Sequence, residues 1–153
     1  MQRNQVTYQA LKDLLPGISR YPKRTLIIIP KIQRGGRVSS LNAGLSRATG
    51  DILLALDGDT SFDNQMVQRA SAHFQNENVV AVTGPMRVRN ARASIVTLLQ
   101  SLEYMLSMQA GKLGLTEINV INNVPGAFGI FRKSFLHKIG GWNTGTAEDL
   151  DLT

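Results

Sequence analysis

Residues 51–63 read DILLALDGDTSFD, and this stretch decides the fold. Ile52 to Leu56 form an unbroken apolar run that ends abruptly at Asp57-Gly58-Asp59-Thr60. A short apolar run bounded by turn residues is the pattern of a strand covered on both faces. Open α/β sheets bind ligands just beyond the carboxyl ends of such strands. Two carboxylates spaced by one glycine can offer oxygen ligands to a hard cation there. The stretch therefore predicts a metal and phosphate corner at the end of a central strand.

Working outward, Thr49-Gly50 ends a helix predicted over Leu41 to Ala48, with Ser39 or Ser40 as its cap. Gln33 to Arg37 reads as a loop, and Thr25 to Ile29, closed by Pro30, as a strand. Residues 4–15 carry a helical spacing that Pro16-Gly17 stops. Downstream, Asp63 is a candidate N-cap for a helix bearing Met66, Val67, Ala70 and Phe74. Val79 to Val82 is a second buried strand. From Arg92 to Leu113 an apolar stripe recurs at helical spacing (Ile95, Leu98, Leu99, Leu102, Met105, Leu106 and Leu113). It predicts either a core-facing helix or one that also touches a membrane surface, since Val96 and Met108 widen it. Asn122 to Gly126 reads as a turn, Ala127 to Phe131 as a strand, and Ser134 to Ile139 as a short helix before Gly140-Gly141-Trp142. Alternating strands and helices predict one α/β domain over residues 1–153, with a mostly parallel sheet and helices on both faces. Glu148 to Thr153 reads as the first turn of a longer helix, so the expectation is a partial domain, truncated at both ends.

The 153 residues suffice for a real core, and 42% of them are hydrophobic. There is no cysteine, which excludes disulfides, thiolate zinc sites and cysteine nucleophiles. No apolar run is long enough to span a bilayer. The net charge of +6 favours anionic partners. It is concentrated in Arg20, Lys23, Arg24, Lys31, Arg34 and Arg37, and again in Arg87, Arg89 and Arg92. Aromatic residues do not interleave with these cations as a nucleic-acid groove requires, so no nucleic-acid partner is expected.

Asp57 and Asp59 are candidate ligands for Mg2+ or Mn2+, which keep waters and take phosphate oxygens alongside one or two carboxylates. Glu148-Asp149 is a second acidic pair, read either as helix capping or as a general base acting on a hydroxyl. Metal, diphosphate and a separate base together describe transfer from a nucleotide-activated donor to an alcohol. His73 and His137 have no ligand spacing.

Three segments then carry a resemblance: LNAGLSRATGDILLALDGDT, VPGAFGIFRKSFLHKIGGW and AEDLDLT. In this order and spacing they resemble the family 2 glycosyltransferases, most closely the membrane-bound branch of cellulose, chitin, hyaluronan and poly-N-acetylglucosamine synthases. The resemblance runs from about Gly35 to Thr153. It implies a Rossmann-like GT-A fold that binds a nucleotide-sugar, with a uridine diphosphate sugar as the expected donor, and an inverting, metal-dependent transfer to a carbohydrate or lipid-linked acceptor. The parent protein would work at the cytoplasmic face of the membrane, held there by parts outside this chain. By the same resemblance Asp57 contacts the donor and helps hold the metal, Asp59 ligates it directly, and Asp149, beside Glu148, is the base. Arg37 and Asn42 fall on the donor side, with arginine where the family pattern has lysine. Gly126, Ala127, Phe128, Gly129 and Arg132 fall on the segment lining the sugar and acceptor pocket. Trp142 falls in the loop before the base, where it either stacks on a sugar or packs in the core. The family's Asp-Asp-Gly-Ser-like strand and its Gln-x-x-Arg-Trp motif do not occur in these residues.

Two rival readings stand beside this one. Asp57-Gly58-Asp59-Thr60-Ser61 comes near the nucleophile motif of haloacid dehalogenase-type phosphatases, with Asp57 attacking phosphate. A non-catalytic basic binding module would also account for the charge.

Overall fold

A computed structural model of the chain describes residues 2–18, 20–33, 35–110, 124 and 128–143. The chain divides into two compact units, Met1–Gly36 and Arg37–Thr153.

The first unit holds helix α1 (Gln2–Asp13) and the single turn α2 (Leu15–Ile18). Gln9 bonds to Asp13 one helical turn on, at 3.0 Å, and the Lys12 ammonium lies 4.6 Å from the Tyr8 ring centre. Pro16 and Gly17 sit inside α2, so the chain resumes a turn where a stop is predicted. Residues 25–29 form no strand. Their β-branched composition suits a sheet, but a strand exists only through its ladder, and the unit's regular elements are helical.

The second unit is a three-layer α/β assembly. Its elements are α3 (Gly36–Leu45), β1 (Ile52–Leu56), α4 (Met66–His73), β2 (Ala81–Val82), α5 (Ile95–Tyr104), β3 (Phe128–Arg132) and α6 (Lys133–Lys138). The strands lie in the order β1-β3-β2. β3 pairs antiparallel with both neighbours, from Ile52↔Arg132 to Leu56↔Phe128 on one side and Ala81↔Phe131, Val82↔Ile130 on the other. This corrects the mostly parallel sheet expected. β1 and β2 do run the same way, as the β1-α4-β2 order demands, but a later strand of opposite direction fills the slot between them.

The unbroken apolar run of β1 is explained by cover on both faces. Ala55 and Leu53 pack with Phe131, Leu136, Val38, Leu45 and Trp142 on one side. Ile52 and Leu54 pack with Ile130, Ala70 and Phe74 on the other. Ile130 and Leu136 are the most deeply buried side chains, at 1% and 0% exposure. Lys133 locks β3 to the start of β1, its backbone N–H donating to the Asp51 carbonyl at 2.8 Å and its ammonium to the Ala48 carbonyl at 2.6 Å.

Helix boundaries shift from expectation in two places. α3 begins at Gly36, five residues before Leu41, so Arg37 stands in a first helical turn and not in a loop. Gly36 takes φ +69°, a conformation glycine adopts without penalty. α5 begins at Ile95 behind a capping box in which Ser94 Oγ accepts from the Thr97 N–H and Thr97 Oγ1 accepts from the Ser94 N–H. A π-helical turn, Met105–Ala110, continues it.

The orientation of α5 contradicts the core-facing reading. Ile95, Leu98, Leu99, Leu102, Met105 and Leu106 are all exposed, Ile95 to 77%, whereas Thr97, Ser101 and Tyr104 are half-buried. Helical periodicity located the stripe, but it cannot say which side of a helix meets its own domain. Leu113 lies outside the described residues. Among the described residues, no helix is long and apolar enough to cross a membrane.

Candidate functional site

The sheet builds a corner where β1 ends. Asp57 to Thr60 form a tight turn closed by the Thr60 N–H donating to the Asp57 carbonyl at 3.1 Å. Asp57 is half-exposed and Asp59 exposed, so both carboxylates are open to solvent. The first turn of α3 brings Arg37 to this corner, with Nε 3.4 Å from Asp57 Oδ1. A guanidinium beside two carboxylates gives the corner both signs of charge, which suits a ligand carrying phosphate and a cation together.

Among the described residues, no three of His, Cys, Asp or Glu gather into one metal cluster. The corner instead offers two carboxylates in a Asp-Gly-Asp turn. All the donors are oxygen, and the set is incomplete by itself. It fits Mg2+ or Mn2+ that completes its shell with phosphate oxygens and water, and it does not fit a closed structural zinc site.

β3 brings Phe128 to the same end of the sheet, since it pairs with Leu56 next to Asp57. Its carbonyl accepts from Thr83 Oγ1 at 2.9 Å. Its ring edge closes over Gly84, where a Cβ would stand 2.8 Å from the ring. Gly129 pairs with Ala55 and is buried, and a Cβ there would stand 2.6 Å from the Phe131 ring and 2.9 Å from Val124. Packing therefore accounts for that glycine.

Arg132 is not brought to the corner. It pairs with Ile52, the opposite end of β1, roughly 14 Å of strand away from Phe128. Its guanidinium donates to the carbonyls of Phe74 (2.9 Å), Asn76 (3.1 Å) and Val79 (3.2 Å), and lies 5.5 Å from the Phe74 ring centre. These carbonyls follow α4, so Arg132 closes that helix and the loop into β2. These partners hold the guanidinium at the end of β1 away from Asp57.

Trp142 is in the core. The residue is 6% exposed, and its ring meets Phe131 edge to face, with centroids 5.7 Å apart and planes at 88°. Of its two predicted uses, packing is the one its surroundings supply. Asn42 reaches this residue and not the corner: Nδ2 donates to the Trp142 carbonyl at 2.8 Å, and Oδ1 accepts from the Trp142 N–H at 2.9 Å. Gly126, Ala127, Glu148 and Asp149 lie outside the described residues. Gly141, at φ +85°, passes so close to Asn42 that a Cβ would stand 2.6 Å from its Oδ1, a constraint the Gly140-Gly141 dipeptide signals in the sequence.

A family model for "Glycosyl transferase family 2" matches residues 5–140. The match begins well ahead of Gly35, where the motif resemblance starts, and takes in α1 from its fourth residue on. A poly-beta-1,6-N-acetyl-D-glucosamine synthase of Staphylococcus aureus (strain COL) is 30% identical over 119 residues, covering 77% of this chain and 29% of that protein. The protein of the same description from Staphylococcus epidermidis is 33% identical over 110 residues, covering 71% of this chain and 26% of that protein. The chain thus spans less than a third of the length of the curated relatives it matches.

Proposed function

The chain belongs to glycosyl transferase family 2, and from that premise we propose that it carries the donor corner of a synthase that moves a sugar from a uridine diphosphate sugar to an acceptor hydroxyl during polysaccharide synthesis. The observation that carries the reading is the Asp57-Gly58-Asp59 turn at the carboxyl end of β1, with Arg37 resting on its first carboxylate. The resemblance to poly-N-acetylglucosamine synthases supports a carbohydrate acceptor.

In this reading Asp59 holds the metal, Asp57 shares it and orients the donor, and Arg37 faces the diphosphate. A bound Mg2+ or Mn2+ supplies positive charge against the departing diphosphate. Asp149 takes the proton from the acceptor hydroxyl. The new bond from that oxygen to the anomeric carbon forms as the bond to the diphosphate oxygen breaks, which inverts the carbon. Phe128, beside the corner, borders the space for the sugar. The synthase acts at the cytoplasmic face of a membrane.

Calorimetric titration with a uridine diphosphate sugar tests the corner. Saturable binding that requires manganese and is lost in Asp59→Ala supports it; binding indifferent to both overturns it. In the full-length synthase, Asp149→Asn abolishes transfer and leaves donor binding nearly unchanged. Near-normal turnover in that variant would remove Asp149 from its role.

A further inference from the structure

The ladder between β2 and β3 stops short of the sheet end that carries Asp57. Its pairs are Ala81↔Phe131 and Val82↔Ile130, whereas β1 pairs with β3 as far as Leu56↔Phe128. Gly129 and Phe128 therefore lie beyond the last pair that β2 makes. Thr83 and Gly84, which follow β2, hold Phe128 in another way. Thr83 Oγ1 donates to the Phe128 carbonyl at 2.9 Å, so a side chain supplies a cross-strand bond where the ladder has ended. The same register, continued, sets Gly84 opposite Phe128, and the Phe128 ring lies across it: a Cβ at Gly84 would stand 2.8 Å from ring atom Cε1. A ring laid over a cross-strand glycine keeps its place because that glycine has no side chain.

The two contacts fix different parts of one residue. Thr83 holds the Phe128 peptide group, and Gly84 leaves room for its ring. On its other side Phe128 pairs with Leu56, the residue before Asp57. Phe128 is half-buried, so it keeps solvent-open surface beside the turn that bears Asp57 and Asp59. Because β3 lies between β2 and β1, Thr83 and Gly84 act on that end of β1 through Phe128.

We infer that Thr83 and Gly84 are positioning residues for the sugar half of the donor: they set the placement of the Phe128 ring, and so the shape of the wall the sugar meets, without touching the diphosphate. The inference rests on the proposed place of Phe128 beside the sugar. An aromatic wall selects by shape, so it governs the affinity that the sugar adds or removes and not the hold on the diphosphate. Valine at position 83 keeps the branched shape but leaves the Phe128 carbonyl without this donor, whereas serine keeps the hydroxyl. Alanine at position 84 and the present ring cannot both keep their places.

The test titrates the full-length synthase, with manganese present, using three ligands: uridine diphosphate, uridine diphosphate glucose and uridine diphosphate N-acetylglucosamine. In Thr83→Val and in Gly84→Ala the Kd of the tighter-binding sugar donor is expected to rise about fivefold or more, with the Kd of uridine diphosphate within about twofold of the parent. Thr83→Ser should restore the parent values. Phe128→Ala should weaken the sugar donors in the same selective way. In that background Gly84→Ala should add less than about twofold, because the ring it collides with is gone. A role in stability alone would weaken all three ligands together or none of them. Either result in Thr83→Val and Gly84→Ala overturns the inference, as does a full effect of Gly84→Ala without the ring. The two levels of the argument fail differently. If Phe128→Ala binds all three ligands as the parent does, the placing of Phe128 beside the sugar is wrong and the inference falls with it. If Phe128→Ala is selective while Thr83→Val and Gly84→Ala are silent, the inference alone falls.

Discussion

The Arg37 guanidinium rests against the Asp57 carboxylate, Nε to Oδ1 at 3.4 Å, at the mouth of the corner where β1 ends. Both side chains are partly open to solvent, so water and salt screen their attraction. A double-mutant cycle of Arg37→Ala and Asp57→Ala should return a coupling energy below about 1 kcal/mol in chemical denaturation. A much larger coupling would mean that the pair is a structural strut. A small value would show that the pair contributes little to the stability of the fold.

Arg132 is the opposite case. Its guanidinium serves three carbonyls that follow α4. Arg132→Met should destabilise the second unit by about 2–3 kcal/mol, because the carbonyls lose a charged donor and Phe74 loses its cation. The measurement is a urea titration followed by far-ultraviolet dichroism. Donor affinity of the folded variant should stay within twofold of the parent.

The two adjacent glycines should respond differently to alanine. At Gly140, φ is +83° but nothing lies within 4 Å of a new Cβ, so the cost is backbone strain of roughly 1 kcal/mol. At Gly141 the same strain is joined by collision with Asn42 Oδ1. Gly141→Ala should cost at least about 1 kcal/mol more and shift the emission of Trp142, the single tryptophan, which Gly140→Ala should leave in place.

Burial separates two leucines that the sequence makes look alike. Leu136 is wholly buried, and Leu136→Ala should cost about 2–5 kcal/mol. Leu99, on the exposed stripe of α5, should tolerate Leu99→Gln within about 0.5 kcal/mol and gain solubility. Equal losses at both positions would show that the α5 stripe is covered in solution.

Much of this was legible because it is local. The unbroken apolar run from Ile52 to Leu56 announces a strand covered on both faces, and it is one. Asp57-Gly58-Asp59 announces a turn at its end. What escaped depends on partners distant in the chain. The direction of β3 is set by pairing with strands far upstream, and nothing within Phe128–Arg132 encodes it. Periodicity drew the α5 stripe but left its facing open. The motif identified Asn42, yet its partner lies 100 positions away. Arg132 sits in the matching segment, but antiparallel pairing carries it to the far end of β1.

The strand order also constrains how the chain can be assembled. β3, which holds the middle of the sheet, is the last strand to arrive: Thr83 beside β2 and Phe128 at the head of β3 are already 45 positions apart. Among the described residues β1 and β2 pair only with β3, so until it inserts neither has a ladder partner there, and Ile130 is missing from the α4 face. The loop closure must be completed before any inter-strand bond rewards it, so sheet formation is a late, slow event.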